Sequence, residues 1–111
     1  MTVHFCNWIG VTCSRSSKTV MVLDLEAKRL SGTIPPSIGN LTYLTGINLQ
    51  NNSFFGEIPQ EVGRLKRLQH LNLTGNSFGG KLPTNLSYCT QLRALDVSFN
   101  QILGQIPDHL S

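Results

Sequence analysis

Apolar residues recur along this chain at an interval of 24 residues, which is unbroken over four copies. Each copy follows the pattern LxxLxLxxNxLxGxIP, and the copies begin at Val20, Leu44, Leu68 and Leu92. Repeats of one fixed period predict a solenoid, because so short a unit can bury its apolar side only against its neighbours. Such a fold offers an extended binding surface rather than a closed catalytic pocket.

Two apolar columns, spaced by two residues, predict a short β-strand in each copy. They are Leu23, Ile47, Leu71 and Leu95, followed by Leu25, Leu49, Leu73 and Val97. Stacking these strands gives a parallel sheet with about 4.8 Å between neighbours. The intervening residues must face solvent, and most are small or polar: Val22, Asp24 and Glu26; Gly46, Asn48 and Gln50; His70, Asn72 and Thr74; Ala94, Asp96 and Ser98.

An asparagine column follows the strands at Asn52, Asn76 and Asn100, with Lys28 at the same place in the first copy. A sharp turn leaves backbone N–H and C=O groups without partners, and an asparagine amide both donates and accepts hydrogen bonds. We therefore expect a structural ladder of asparagines that satisfies the turns from inside. The lysine predicts a more open first turn.

The second half of each copy predicts an irregular return leg. Glycines recur where a bend is needed, and prolines exclude a regular strand or helix through them. The glycines are Gly32, Gly56, Gly80 and Gly104, and the prolines are Pro35, Pro59, Pro83 and Pro107. Inward positions are Leu30, Phe54, Phe78 and Ile102; Ile34, Ile58, Leu82 and Ile106; Ile38, Val62, Leu86 and Leu110; and Leu41, Leu65 and Cys89. In that last column Cys89 is interpreted as a small buried hydrophobe.

These columns resemble the plant-specific leucine-rich repeat, whose 24-residue unit has the same LxGxIP second half, and the match covers residues 20–111. Residues 3–13 resemble the N-terminal cap of that family, with its Cys-x-Trp-x-Gly-Val-x-Cys core. The resemblance is strongest to the start of receptor-like kinase ectodomains, particularly those for pathogen-derived patterns. It implies an α/β-type repeat solenoid, with a short parallel sheet on one face and 3₁₀ or loop return legs on the other.

The same resemblance divides the chain into five parts. They are a cap over residues 1–19, repeats over 20–43, 44–67 and 68–91, and an incomplete fourth repeat over 92–111.

The resemblance also implies a disulfide between Cys6 and Cys13 in the cap. Closing this loop of eight residues would contribute roughly 2–2.5 kcal/mol on the chain-entropy model. A zinc pair is the alternative, although no further Cys/His pair completes four ligands. Paired cysteines indicate an oxidising, extracellular compartment. Since the sequence shows neither a signal peptide nor a membrane-spanning run, we expect a piece of a longer protein whose membrane segment lies elsewhere.

Net charge is +3 and is spread along the chain, which gives no reason to expect a nucleic-acid partner. The densest basic run is Arg64, Lys66 and Arg67 on a return leg. It is interpreted either as a solvated surface or as a contact with a polyanionic cell-wall component.

Four Asn-x-Ser/Thr sequons occur, at Asn40, Asn51, Asn72 and Asn85. A glycan would project freely from the return leg, which favours Asn40 and Asn85. Asn51 lies beside the asparagine column, and a glycan on Asn72 would cover the strand face.

The sequence predicts no catalytic site, cofactor or metal. His4, His70 and His109 fall in unrelated columns. Asp24 and Asp96 are three strands apart, about 14 Å, which is too far for a paired-carboxylate site. No phosphate-binding loop or kinase motif occurs, so any serine/threonine kinase activity is expected only in the parent gene product.

The exposed strand face is the candidate ligand site. Its polar groups are Asn48, Gln50, His70, Thr74, Asp96 and Ser98, while Gly46 and Ala94 leave room for a partner backbone. Phe99 either anchors an interface or packs on a further repeat. Two readings stay open for the whole face: it binds the ligand, or these repeats only cap an array that binds its ligand further along.

Two functional hypotheses follow from the resemblance. In the first, the chain is the N-terminal part of a receptor ectodomain that binds a peptide or protein ligand, with a co-receptor as a further partner, in defence or developmental signalling. In the second, it belongs to a secreted inhibitor or wall protein of the polygalacturonase-inhibitor type, or to a receptor-like protein without a kinase. A remnant with no ligand is the third alternative.

Overall fold

The computed structural model describes residues 11–13 and 20–103, with side chains from residue 21. In chain order the elements are strands β1 (Val11–Cys13), β2 (Val20–Asp24) and β3 (Ser31–Gly32), 3₁₀ helix η1 (Pro36–Asn40), strands β4 (Gly46–Asn48) and β5 (Ser53–Gly56), helix η2 (Gln60–Arg64), strands β6 (His70–Asn72) and β7 (Ser77–Phe78), helix η3 (Thr84–Tyr88) and strand β8 (Ala94–Asp96). Each coil of the solenoid thus runs from a strand, through a turn and a second short strand, to a 3₁₀ helix.

The main sheet has the order β1-β2-β4-β6-β8, and its last four strands are parallel. Its register keeps the 24-residue interval, since Val22 pairs with Gly46, Gly46 with His70, and His70 with Ala94. The predicted parallel sheet is therefore confirmed. Strand β1 extends it by pairing antiparallel with β2, which the repeat pattern did not predict because β1 lies outside the repeats.

A second, smaller sheet of order β3-β5-β7 runs along the other side of the turns. Its strands are parallel and short, and a bridge between Lys81 and Leu103 continues the same pairing into the fourth coil. We did not predict this sheet, because strands of two to four residues leave no measurable alternation of apolar and polar residues.

Each 3₁₀ helix begins directly after a proline. Pro35, Pro59 and Pro83 are extended, with φ of −76°, −73° and −65°, and each accepts the first helical hydrogen bond at its carbonyl. Proline fixes φ near these values and lacks a donor that would need a partner. The prolines therefore set where the return leg turns into helix, in agreement with the expectation that no regular element passes through them.

The predicted inward columns form one continuous core. Its buried members include Leu44, Leu68 and Leu92; Ile47 and Leu71; Leu49 and Leu73; Ile58 and Leu82; and Leu65 and Cys89. The rings of Phe54 and Phe78 stack with centroids 6.1 Å apart across adjacent coils. Burial is most complete in the second and third coils, as expected where both neighbours are present.

Candidate functional site

The asparagine column bonds to two coils at once. The Asn76 amide donates to the carbonyls of Leu49 (2.8 Å), Leu73 (3.1 Å) and Thr74 (3.3 Å), and its Oδ1 accepts from the N–H of Phe54 (3.0 Å). Two of these partners lie in the preceding coil. Asn52 and Asn100 make the same set of contacts. The column therefore holds successive turns to one another as well as closing each turn.

The first turn, which carries Lys28, is closed from the next coil. Oδ1 of Asn52 accepts from the N–H groups of Lys28 and Leu30, both at 3.0 Å, and its amide donates to the Leu25 carbonyl at 2.8 Å. Lys28 itself is exposed, with Ala27 and Arg29 at positive φ on either side of it. The turn differs from the others in its backbone, but its polar groups have partners.

A second polar column lies on the strand face, where it supplies the last residue of each parallel strand of the main sheet. One side-chain oxygen of Asp24, Asn48, Asn72 and Asp96 accepts from the backbone N–H two residues later, at 3.0–3.2 Å. This is an Asx turn, which Asp and Asn favour because their short side chains can reach that amide. The sequence carried the signal, since every copy has Asp or Asn there, but we assigned these residues only to the exposed face.

In the first half of the strand face, the polar side chains hydrogen-bond to one another. Glu26 accepts from the amides of Asn48 (3.3 Å) and Gln50 (3.1 Å), and Gln50 accepts from the Asn72 amide. The predicted binding residues Asn48 and Gln50 are therefore half-buried and already hydrogen-bonded. The same network occupies the amide of the Asn72 sequon.

The space predicted above Gly46 is also limited. A Cβ at this glycine would lie 3.7 Å from a methyl of Val22, so the Val22 side chain covers the position and Gly46 is buried. Ala94, in contrast, is exposed, as the sequence predicted for a position that leaves room for a partner.

The second half of the face keeps groups that solvent can reach. His70, Asp96, Ser98 and Phe99 are exposed, whereas Thr74 is half-buried and its enclosed hydroxyl makes no hydrogen bond of ordinary geometry. That hydroxyl still lies close enough to lower the pKa of the Asp96 carboxyl, together with the Ser98 N–H and hydroxyl. Asp96 is therefore ionised at neutral pH and presents a negative charge on this half of the strand face.

Phe99 combines exposure with an uncommon backbone. It is 83% exposed and has φ of +55°. The same place in the other coils holds Ala27, Asn51 and Gly75, with φ of +53°, +60° and +73°. Glycine and asparagine tolerate this region, while a bulky aromatic residue there is an outlier. We missed this column, because residues as different as Ala, Asn, Gly and Phe share no chemical signature.

The remaining predicted residues divide between described and undescribed parts of the chain. Asn40 is exposed and Asn85 is half-buried on the return leg, and Asn51 is exposed in its turn. The Cys6–Cys13 pairing lies outside the described side chains, as do Gly104, Ile106 and Leu110. Among the side chains of residues 21–103, no three His, Cys, Asp or Glu groups cluster closely enough to hold a metal ion. No helix within the described ranges is long and apolar enough to cross a membrane.

Cys89 is enclosed in the core, where its thiol donates to the Val62 carbonyl at 3.3 Å. Burial raises the pKa of this thiol, and the positive charge of Lys66 only partly opposes the shift. We expect alkylation in native buffer to be slower than in denaturant by on the order of a hundredfold, the factor given by a local opening free energy of about 3 kcal/mol. Mass spectrometry of unreduced protein measures both rates. Rapid native labelling of Cys89 would contradict its placement in the core.

A family model for the leucine-rich repeat matches residues 42–102, more than half of the 111 residues. The chain belongs to the leucine-rich-repeat family. Among curated proteins, the LRR receptor-like serine/threonine-protein kinase EFR of Arabidopsis thaliana is 56% identical over 50 residues, which are 45% of this chain and 5% of that protein. This leucine-rich-repeat chain therefore spans only a small fraction of the curated relatives it matches.

Solved structures give the same assignment over nearly the whole chain. The BIR2 ectodomain from Arabidopsis thaliana superposes with a TM-score of 0.83 and 36% identity, over 92% of this chain and 54% of that one. The complex PEPR1–AtPEP1 gives a TM-score of 0.86 and 37% identity, over 92% of this chain and 14% of that one. The predicted resemblance to the leucine-rich repeats of plant receptor kinases is thus confirmed.

Proposed function

We propose that this chain is an extracellular recognition module, the N-terminal part of the ectodomain of a plant leucine-rich-repeat receptor kinase in defence or developmental signalling. Its partners would be a peptide or protein ligand and a co-receptor. The likeness to EFR and to the BIR2 ectodomain supports the receptor class. The likeness to the plant peptide hormone receptor RGFR1 in complex with RGF2 supports a peptide ligand.

The observation that carries this proposal is Phe99. A non-glycine residue at positive φ costs of order 1–3 kcal/mol, and such strain concentrates at functional sites. Here the strained residue is also a large apolar side chain left 83% exposed. Asparagine at the equivalent Asn51 shows that a polar residue fits the same turn. A role as an aromatic anchor for a partner accounts for a large apolar side chain at this position.

The ligand would sit on the second half of the strand face. His70 and Asp96 extend from neighbouring strands β6 and β8, and Ser98 and Phe99 follow β8 directly. Asn48, Gln50 and Thr74 would hold the surface in shape through their own contacts rather than meet the ligand first.

A replacement in the full-length receptor tests the face as a whole. Changing Asn48, Gln50, His70, Thr74, Asp96, Ser98 and Phe99 together to alanine should abolish the response to ligand, provided that the ectodomain still folds and is displayed. An intact response with normal display would place the ligand in later repeats and leave this segment a cap. The full-length transcript separates the two classes of parent protein, because a kinase domain is expected only in the first.

A single substitution separates binding from folding. Phe99→Asn should weaken the response by about 10–30-fold, the range for losing an interface anchor of about 1.4–2 kcal/mol, while the melting temperature stays equal or rises because asparagine tolerates the positive φ. The matched control is Phe55→Asn, which removes a 50% exposed aromatic from β5, in the second sheet. Equal losses for both variants would show that Phe99 has no special role.

A further inference from the structure

A groove of about 440 Å³ lies on the return-leg side of the solenoid, away from the strand face. Residues of η2, η3 and the segments next to them form its walls, so three consecutive coils contribute to it. The polar and charged side chains that line it are Thr42, Gln60, Glu61, Arg64, Lys66 and Asn85, and the ring of Tyr88 closes one wall. Its volume falls within the usual range for ligand sites.

The cations of this surface are positioned by aromatic rings and a carbonyl. Lys66 Nζ lies 4.7 Å from the centroid of the Tyr88 ring and donates to the Gly63 carbonyl at 2.8 Å. The Arg67 guanidinium lies 4.7 Å from the centroid of the Tyr43 ring. These contacts fix the two long side chains without neutralising their charges. The side chains therefore lose less conformational entropy when an anionic ligand binds.

We propose that this groove binds an anionic oligosaccharide. Arg64 and Lys66, which line the groove, and Arg67, which follows Lys66 in the chain, would pair with its carboxylate or sulfate groups, outnumbering the carboxylate of Glu61. The partly exposed rings of Tyr88 and Tyr43 add apolar surface beside these cations, which suits the C–H surface of sugar rings. Neutral amides and hydroxyls at the groove suit a ligand rich in hydroxyls.

An extended ligand fits this arrangement better than a single anion. Tyr43 follows η1 in the first coil and Tyr88 ends η3 in the third, so the two rings that position the second-coil cations Lys66 and Arg67 stand on different coils. A ligand that reaches both rings must run across the return legs. A chain of sugars with repeated charges does so, and this separates the site from the peptide-binding role of the strand face.

Binding of a uronic-acid oligosaccharide of defined length to the whole chain, measured by calorimetry, tests the proposal. The protein is produced without N-glycans, because Asn85 lines the groove and a glycan there would cover it. We expect saturable binding that weakens with added salt and is lost with the methyl ester of the same oligosaccharide, in which the charges are removed. Binding of the ester with equal affinity would overturn the ionic basis of the site.

The decisive variant is Arg64→Gln/Lys66→Gln/Arg67→Gln, which should weaken binding by about tenfold or more. Its matched control, Lys28→Gln/Arg29→Gln/Lys81→Gln, removes the same number of charges from exposed positions that do not line the groove, and it should change affinity by less than about twofold. Equal losses would mean that only net charge attracts the ligand, and no loss in the first variant would exclude the groove.

Tyr88→Ala distinguishes a sugar site from a general anion surface. It should weaken binding of the oligosaccharide while leaving retention on anionic lipid vesicles unchanged. Tighter binding to phosphatidylserine vesicles than to the oligosaccharide, insensitive to Tyr88→Ala, would replace the proposal with a membrane contact. The strand-face variant Phe99→Asn should leave oligosaccharide binding unaltered, so the two proposals fail separately.

Discussion

Asn76→Ala is expected to lower the free energy of unfolding by on the order of 1–3 kcal/mol, the penalty for leaving buried polar groups without partners. Asn76 is only 9% exposed and serves three carbonyls and one N–H. Alanine would leave all four groups without a hydrogen-bond partner in a site that has little room for water. Since two of them belong to the preceding coil, the loss also loosens the contact between coils.

Asn40→Ala is the matched control for this prediction. Asn40 is exposed at the end of η1, and its removal should change stability by less than about 0.5 kcal/mol. Asn48 is a poorer control than its place on the strand face suggested, because its side chain holds the Gln50 N–H and contacts Glu26. Denaturant unfolding of chains prepared without glycans gives the comparison. Similar costs at Asn76 and Asn40 would refute the buried ladder.

Asn76→Asp adds a test that alanine cannot give, because the two side chains have nearly the same shape. The carboxylate could still accept from the Phe54 N–H, but it would face the Leu49, Leu73 and Thr74 carbonyls with no proton to donate. We expect a cost at least as large as that of alanine, and one that decreases as the carboxyl is protonated in acid. A neutral effect of Asn76→Asp would show that the three donated bonds contribute little.

The coil itself was predictable, because a period of 24 residues forces equivalent positions into columns. Leu71 and Leu73 had to point inward together, and Asn76 had to meet a turn, whatever the details of the backbone. The burial of Cys89 followed from its column alone. What these residues share is that one chemical type, apolar or amide, repeats at the same place in nearly every coil.

Features that depend on backbone conformation or on contact between coils were not predictable in this way. The positive φ of Phe99 cannot be inferred from its residue type, and only the structure shows that Asn51 and Gly75 have the same conformation. Likewise, Glu26 lies outside the strands, yet its carboxylate accepts hydrogen bonds from the side-chain amides of Asn48 and Gln50, which we had predicted to bind a ligand. A column defines which face a side chain lies on, whereas its partners depend on rotamers and neighbouring coils.

Gly63→Ala is the second large effect that we expect, and it concerns close packing between return legs. A Cβ at Gly63 would stand 2.5 Å from the carbonyl oxygen of Asn85 and 2.7 Å from its Cβ. Gly39, one repeat earlier, approaches the carbonyl oxygen of Glu61 in the same way. These atoms belong to or adjoin the backbone of the next coil, so the added methyl can be accommodated only if η2 and η3 move apart.

The expected cost of Gly63→Ala is about 1–3 kcal/mol, as for other overpacked sites, and thermal unfolding should show a fall of several degrees. Gly79→Ala is the matched control, because a Cβ there meets nothing within 4 Å and its φ is not positive. That variant should leave stability unchanged or raise it by up to about 1 kcal/mol through the lower entropy of the unfolded chain. If Gly63→Ala were also neutral, adjacent return legs would have to lie further apart than this structure places them, and the groove beside η2 and η3 would change shape with them.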